Sequence, residues 1–175
     1  MSELKKTLIG LTYGELARVH ALIEKPGPGI HSIVTSVDVL EEQGFRGDHP
    51  KKDWWRGKRV SDREVTAMAV EVIEALRIGI ALPGDNLITE GVDLGALKPG
   101  DRLIIGSVVL RRSQKDHRPC DTFGRRATTQ AQELVGELGL RGALFAVEER
   151  GRIECGDRVT VVSVNLPEHQ APSCA

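Results

Sequence analysis

The apolar positions along the chain favour strands, with helical period in only two places. Glu15 to Glu24 and His31 to Leu40 are rich in β-branched and aliphatic residues and are separated by Lys25-Pro26-Gly27-Pro28-Gly29, which predicts two strands joined by a loop. Arg102 to Ile105 and Val108 to Arg112 flank Gly106-Ser107 and read as a tight hairpin. Ala143 to Glu148 and Arg158 to Val164 are two further strands, with turns around a short strand between Arg150 and Asp157. Helical spacing places Val65, Met68, Ala69, Val72, Ile73 and Leu76 on one face, and Ser61 with Glu64 forms a capping-box pattern, so a helix is predicted over 62–77. A second stripe, Ala131, Leu134, Val135 and Leu138, has Thr129 and Gln132 at its start and Gly139 as its stop. At least six short strands at irregular spacing, without regular alternation with helices, point to a mainly β (α+β) fold: a curled or barrelled sheet carrying helices.

Composition narrows this picture. One domain spanning the 175 residues is the simplest reading, and 40% apolar content without a low-complexity tract argues against disorder. Only 3% of residues are aromatic, so the core must be aliphatic. Three cysteines, Cys120, Cys155 and Cys174, form no CxxC pair, which suits a reduced cytosol better than a disulfide framework. No apolar run reaches membrane-spanning length, and the first twenty residues lack a signal-peptide core, so a cytoplasmic protein is expected.

The net charge of −1 makes general nucleic-acid binding a poor fit, but the charge is uneven. Arg46 to Arg63 and Arg111 to Arg126 each carry an excess of +4, leaving −9 for the rest of the chain. If the two stretches meet in space they form an anion site; the alternative is two unrelated solvated loops. Within the second stretch, Cys120 sits in Lys115-Asp116-His117-Arg118-Pro119-Cys120-Asp121. Cationic neighbours favour the thiolate, the form that attacks electrophiles or binds a soft metal, although a cysteine in a loop can equally be a small hydrophobe. Gly47-Asp48, Gly100-Asp101 and Gly156-Asp157 read as turn punctuation. No Walker loop, dinucleotide fingerprint, HExxH or nucleophile elbow is present.

The order of motifs adds what no single one carries. GFRGDH (Gly44 to His49), RVSDRE (Arg59 to Glu64), the run from Leu82 to Leu110 that begins LPGDNLITEG, RPC (Arg118 to Cys120) and the run from Gly139 to Val161 follow one another. This series resembles a MOSC domain, the module named for the C-terminus of molybdenum cofactor sulfurases. The resemblance spans about residues 19–164 and leaves 165–175 as a tail. It implies a β-barrel of the pyruvate-kinase barrel type with peripheral helices, and a molybdenum cofactor (molybdopterin) as ligand. Cys120 takes the position of the family's sulfur carrier or molybdenum ligand. Gly47, Asp48 and His49 match the Gly-Asp-His motif, and Gly84, Asp85, Asn86 and Leu87 the motif usually written G-E-N-L.

Two departures stand out: His49 follows Asp48 immediately, and Asp85 replaces a glutamate, shortening its reach by one methylene. Such a cofactor needs cations for its phosphate, hydrogen-bonding groups for its pterin and a soft thiolate for its metal. On this basis Cys120 is the expected metal ligand or persulfide carrier, Arg59 and Arg118 the anion contacts, with Lys58 and Arg125 as weaker candidates. Asn86 and Thr89 are the expected hydrogen-bonding groups, with turn stabilisation as their alternative, and His49 could orient the thiolate or a bound oxygen. Trp54 and Trp55 could stack on a flat ring, although packing is favoured. Three functions remain open: a reductase of N-hydroxylated compounds fed by an external redox partner, a carrier of sulfur or cofactor working with a cofactor-biosynthesis protein, and an interaction domain that has lost its cofactor.

Overall fold

The computed structural model describes residues 1–164, so Cys174 and the tail assigned to 165–175 lie outside the described residues. In chain order the elements are α1 (Glu3–Ile9), β1 (Arg18–Gly27), β2 (Ile30–Val34), β3 (Ser36–Leu40), β4 (Gly44–Phe45), β5 (Trp54–Trp55), β6 (Lys58–Arg59), β7 (Val65–Ala69), α2 (Val70–Leu76), β8 (Leu87–Glu90), β9 (Arg102–Ile105), β10 (Val108–Arg112), α3 (Asp121–Arg126), α4 (Thr129–Glu137), β11 (Ala143–Glu149), β12 (Gly151–Glu154) and β13 (Val159–Val162). Eight strands form one sheet in the order β13-β9-β10-β11-β7-β8-β1-β2, antiparallel except where β7 runs parallel to β8. A three-stranded sheet, β12-β3-β4, and the β5-β6 ribbon complete the strands.

The protein is mainly β, as the strand pattern predicts, but the sheet is not closed as a barrel. Its ladder leaves β2 and β13 as edges. The sheet curls far enough for one isolated bridge between Arg18 and Arg158. Beside the bridge, the Val19 amide donates to the Asp157 carbonyl (2.8 Å) and the Val159 amide to the Ala17 carbonyl (2.9 Å).

Alternation along the inner strands feeds two cores. Val19, Leu22, Val65, Ala67, Leu87, Leu103, Ile105 and Leu110 pack with Val37, Val39, Phe45 and Ile153 of the small sheet. From the opposite face of the same strands, Ile23, Met68 and Ile88 meet Leu8, Ile73, Phe123, Leu134 and Val135 of the helices. All three phenylalanines, Phe45, Phe123 and Phe145, are fully buried, whereas Trp54 is 42% exposed.

The first predicted helix is half strand. Val65 to Ala69 pair with β11 on one side and β8 on the other, and all five are buried. Burial on both faces of a central strand overrides the helical spacing there, and only Val70–Leu76 forms a helix. Ser61 and Glu64 consequently cap nothing; Glu64 instead accepts from Arg59. The second helix is placed correctly, with the cap one residue earlier than predicted: the Thr128 hydroxyl accepts from the Ala131 amide at 3.0 Å. At its end Gly139 is left-handed (φ 68°), its amide bonds to the Gly136 carbonyl, and the Leu140 amide reaches back to the Val135 carbonyl. That is the Schellman arrangement which a glycine stop implies.

Other boundaries moved for local reasons. Strand β1 continues through Pro26 to Gly27 with an irregular register, and the predicted strand from His31 to Leu40 breaks at Thr35 so that β3 can join the small sheet. Helices α1 and α3 have no long periodic stripe. The first is capped by the Ser2 hydroxyl, which accepts from the Lys5 amide, and it packs against α2 through Leu8. No helix among the described residues is long and apolar enough to cross a membrane.

The two-core arrangement ranks substitutions. Phe145→Ala, inside the first core, should lose about 3–5 kcal/mol of unfolding free energy. Ile33→Ala on the exposed edge strand β2, where Ile33 is 61% exposed, should change it by no more than about 0.5 kcal/mol. Urea denaturation followed by circular dichroism measures both, and equal losses would show that the core is misassigned.

Candidate functional site

Two residues before the end of strand β1, a lysine turns its ammonium to the interior. The Lys25 ammonium donates to the Thr66 hydroxyl of β7 at 3.1 Å, while the residue's outer portion keeps some exposure. Burial and the neighbouring Lys52, only partly offset by Asp85 and Asp48, push this amine down to about 7. Lys52 is lowered too, by burial, and it donates to Asp48 (2.5 Å) and to the Glu64 carbonyl.

Asp48 is the hub of this cluster. One carboxylate oxygen accepts the Lys25 amide (2.6 Å), and the other accepts Lys52 and the Asn86 side-chain amide (2.8 Å). Asn86 is fully buried and also donates to the Ile23 carbonyl (3.2 Å), while its backbone amide bonds to the Thr66 carbonyl (2.9 Å). Its side-chain donors are therefore used within the protein, so it locks β1, β7 and the Gly-Asp-Asn-Leu turn together.

The residue before it begins a second cluster. Asp85 is buried, accepts from Arg141 at 2.5 Å, and stands 3.7 Å from His117 Nε2. Burial raises a carboxyl, but the Arg141 guanidinium overrides that and holds Asp85 below its ordinary value. His117 is pushed down to about 3 by burial and by Arg141, so it is neutral. The 3.7 Å approach is then a contact between a carboxylate and a neutral ring rather than an ion pair. Asp85 Oδ1, His117 Nδ1 and Arg141 Nε are buried without a hydrogen-bond partner.

Above this cluster lies a cradle. Gly84 is left-handed (φ 78°), and a Cβ there would stand 2.8 Å from the His31 ring and 3.1 Å from the Arg126 guanidinium. Only a glycine lets the turn pass between them. His31 Nδ1 is 2.8 Å from the Ala81 carbonyl, and its ring is lowered by burial and by Arg126. Arg126 closes the last turn of α3, whose N-cap is Cys120. Cys120 is exposed, and Arg63, which lies close enough to bias both Lys25 and His117, forms no ion pair among the described residues.

The two basic stretches of the sequence do meet: Lys115 donates to the Ser61 carbonyl (2.8 Å), and Arg111 pairs with Asp62 (3.3 Å). Much of their charge is neutralised there. Arg59 pairs with Asp53 (2.9 Å) and Glu64 (3.4 Å), and Arg112 leans on Asp116. Seven cations of those stretches, Lys51, Arg56, Lys58, Arg63, Lys115, Arg125 and Arg126, pair with no carboxylate among the described residues.

Against known proteins, the chain matches the MOSC domain family over residues 59–160. The chain belongs to the MOSC domain family. This family is associated with molybdenum cofactor binding. No curated protein matches the chain. Among solved structures it is similar to the YuaD protein from Bacillus subtilis, at 18% identity and a TM-score of 0.69, over 85% of this chain and 96% of that one. It is also similar to YiiM from Geobacillus stearothermophilus (18%, TM-score 0.65, 84% and 75% covered) and YiiM from Escherichia coli (19%, TM-score 0.60, 84% and 70% covered). At these identities the likeness speaks for the fold.

Within this MOSC domain the expected site residues fall in three places. Cys120 and Arg118 are exposed near the second cluster, Asn86 and Thr89 are fully buried in or beside the first, and His49 and Arg59 border a cleft with Trp54 that Asp48 and Lys52 of the first cluster also line. The Thr89 hydroxyl has no partner and sits on β8 inside the sheet. Lys51 lies over the Trp54 ring at 5.4 Å, which occupies that ring's face. The sequence reading passed over Lys25, Asp85 as an ion-pair partner, His117 and Arg141. The usable signals were a lysine near the end of an apolar strand and a histidine three residues before the cysteine.

Two tests follow from this geometry. Asp85→Ala strands the buried Arg141 guanidinium and should cost about 3–5 kcal/mol, whereas Asp85→Leu combined with Arg141→Met should recover most of that loss. Chemical denaturation of the three proteins decides it. Lys25 has a folded value near 7 against 10.5 for its ordinary one, so the unfolded chain binds the extra proton between them. Wild-type stability relative to Lys25→Met should therefore rise from pH 7 towards pH 10.5, and a flat difference would place the ammonium in solvent.

Proposed function

We propose that this MOSC domain binds a molybdenum pterin cofactor through the Cys120 thiolate and reduces N-hydroxylated compounds with electrons from an external redox partner. The observation that carries the reading is the position of Cys120. It is the N-cap of α3, its thiol has no hydrogen-bond partner, and the same helix delivers Arg126 to the Gly84 cradle. The donor set fits the group. A single thiolate suits a metal whose other sulfur ligands come from the pterin, and no cluster of three or more His, Cys, Asp or Glu side chains among the described residues is arranged to hold a metal alone.

The cofactor would supply two-electron redox chemistry; the chain supplies position and charge. Arg63, Arg126 and the partly charged Lys25 give the positive potential for a phosphate. Asp85 and Arg141 fix the turn that frames the cradle, and Asn86 with Asp48 hold that turn to the sheet. In the reaction the N–O bond breaks, two electrons arrive from the donor, two protons are taken up, and an amine and water leave.

The exposure of the thiol favours a second reading, in which Cys120 carries sulfur as a persulfide or hands on the cofactor to a cofactor-biosynthesis protein without turnover. One preparation separates the two. Protein made in a host that synthesises the cofactor should contain molybdenum and pterin, and Cys120→Ser should lose the metal. Full metal retention by the variant would overturn the ligand assignment. With metal present, consumption of an N-hydroxylated substrate with a chemical reductant marks the reductase. Absence of metal together with a mass gain of one sulfur on Cys120 marks the carrier.

A further inference from the structure

A cavity of about 570 Å³ lies between α4 and the segment leading to Cys120. Leu94, Val135 and Pro119 contribute apolar surface to its lining, and Arg112, Arg118, Arg141 and His117 contribute polar groups. Arg112 and Arg141 are more than nine-tenths buried, and so is the His117 side chain. Each keeps one buried polar atom without a partner: Arg112 Nε, Arg141 Nε and His117 Nδ1. Unpaired donors in such a place are costly unless something completes them.

A substitute is already nearby. The Asp116 carboxylate stands 3.8 Å from Arg112 and 3.6 Å from Arg118, too far to hydrogen-bond either, and it is 68% exposed. The two guanidiniums thus share a carboxylate held loosely from the solvent side. Arg141, by contrast, is already committed to Asp85, and neutral His117 adds no charge. The charge left over is small, and the apolar surface is substantial.

We propose that this cavity binds a small organic carboxylate, its carboxylate displacing Asp116 between Arg112 and Arg118 and its hydrocarbon part lying against Leu94, Val135 and Pro119. The volume falls in the range of small-molecule sites. A planar carboxylate matches the guanidinium fork, whereas inorganic phosphate would leave the apolar surface in contact with water. The Cys120 thiol is not among the groups that line the cavity.

Titration calorimetry of the full chain, free of metal, with benzoate, inorganic phosphate and benzylamine tests this. Benzoate should bind at one site, phosphate at least roughly tenfold more weakly, and benzylamine not at all. Arg112→Gln and Arg118→Gln should each weaken benzoate by roughly tenfold. Cys120→Ser should leave it within about twofold, which separates failure here from failure of the cofactor reading. Arg112 also donates to the Ser113 and Lys115 carbonyls, so its variant can lose the local fold; the exposed Arg118 keeps the test valid. Absence of benzoate binding, equal binding of phosphate, or indifference to Arg118→Gln would overturn the proposal.

Discussion

The buried carboxylate of Asp48 is where three distant stretches of the chain are joined. Its oxygens take the backbone amide of Lys25, the ammonium of Lys52 and the amide of Asn86. A carboxylate removed from water is unfavourable by several kcal/mol unless its lone pairs are filled, so these three donors must arrive together. The arrangement therefore acts as a geometric condition: strand β1, the Gly-Asp-His turn and the Gly-Asp-Asn-Leu turn are correct together or not at all. A second consequence is electrostatic. Lys52 meets the carboxylate through its ammonium and Lys25 only through its backbone amide, and burial lowers both ammoniums, Lys25 to about 7.

The neighbouring carboxylate, Asp85, works differently. Its partner is a buried arginine from the turn before β11, so it links the same motif turn to the opposite side of the sheet. An aspartate in place of the family's glutamate has a shorter side chain, and here the reach is supplied by Arg141, whose second nitrogen also takes the Pro83 carbonyl at 3.3 Å. Asp48 and Asp85 thus hold Asn86 and Gly84 between them. Stiffness of the turn comes from charge burial, and openness of the cradle comes from the absence of a side chain at Gly84.

Much of the fold was legible in the sequence because the strand signals are local. The Gly106-Ser107 hairpin and the strand at Ala143 fell where β-branched and aliphatic runs put them. The helix over 62–77 misled because Val65, Met68, Ala69 and Val72 satisfy a helical stripe, while Val65 and Ala67 on one face of a strand and Met68 on the other satisfy two cores. A sequence window cannot distinguish burial on one side from burial on two. At the candidate site, the meeting of the two basic stretches was one of the two readings that the charge pattern left open. Lys25 and Arg141 could not be picked out, since a lysine near a strand end and an arginine before a strand are ordinary surface residues until the topology encloses them.

Placement of Cys120 at the edge rather than the centre of this polar core has a physical logic. Under the proposed function, a thiol buried among Lys25, Arg63 and Arg141 would complete those cations itself and so be lost as a ligand or carrier. Held as the N-cap of α3, it is exposed, while Lys52 and Arg141 are fixed in the interior by Asp48 and Asp85, and Arg63 and Arg126 pair with no carboxylate among the described residues. His117 sits between the two zones, three residues before the thiol and in contact with Asp85, and stays neutral there. The rigid interior sets where charge lies, and the exposed thiol meets whatever that charge brings to it.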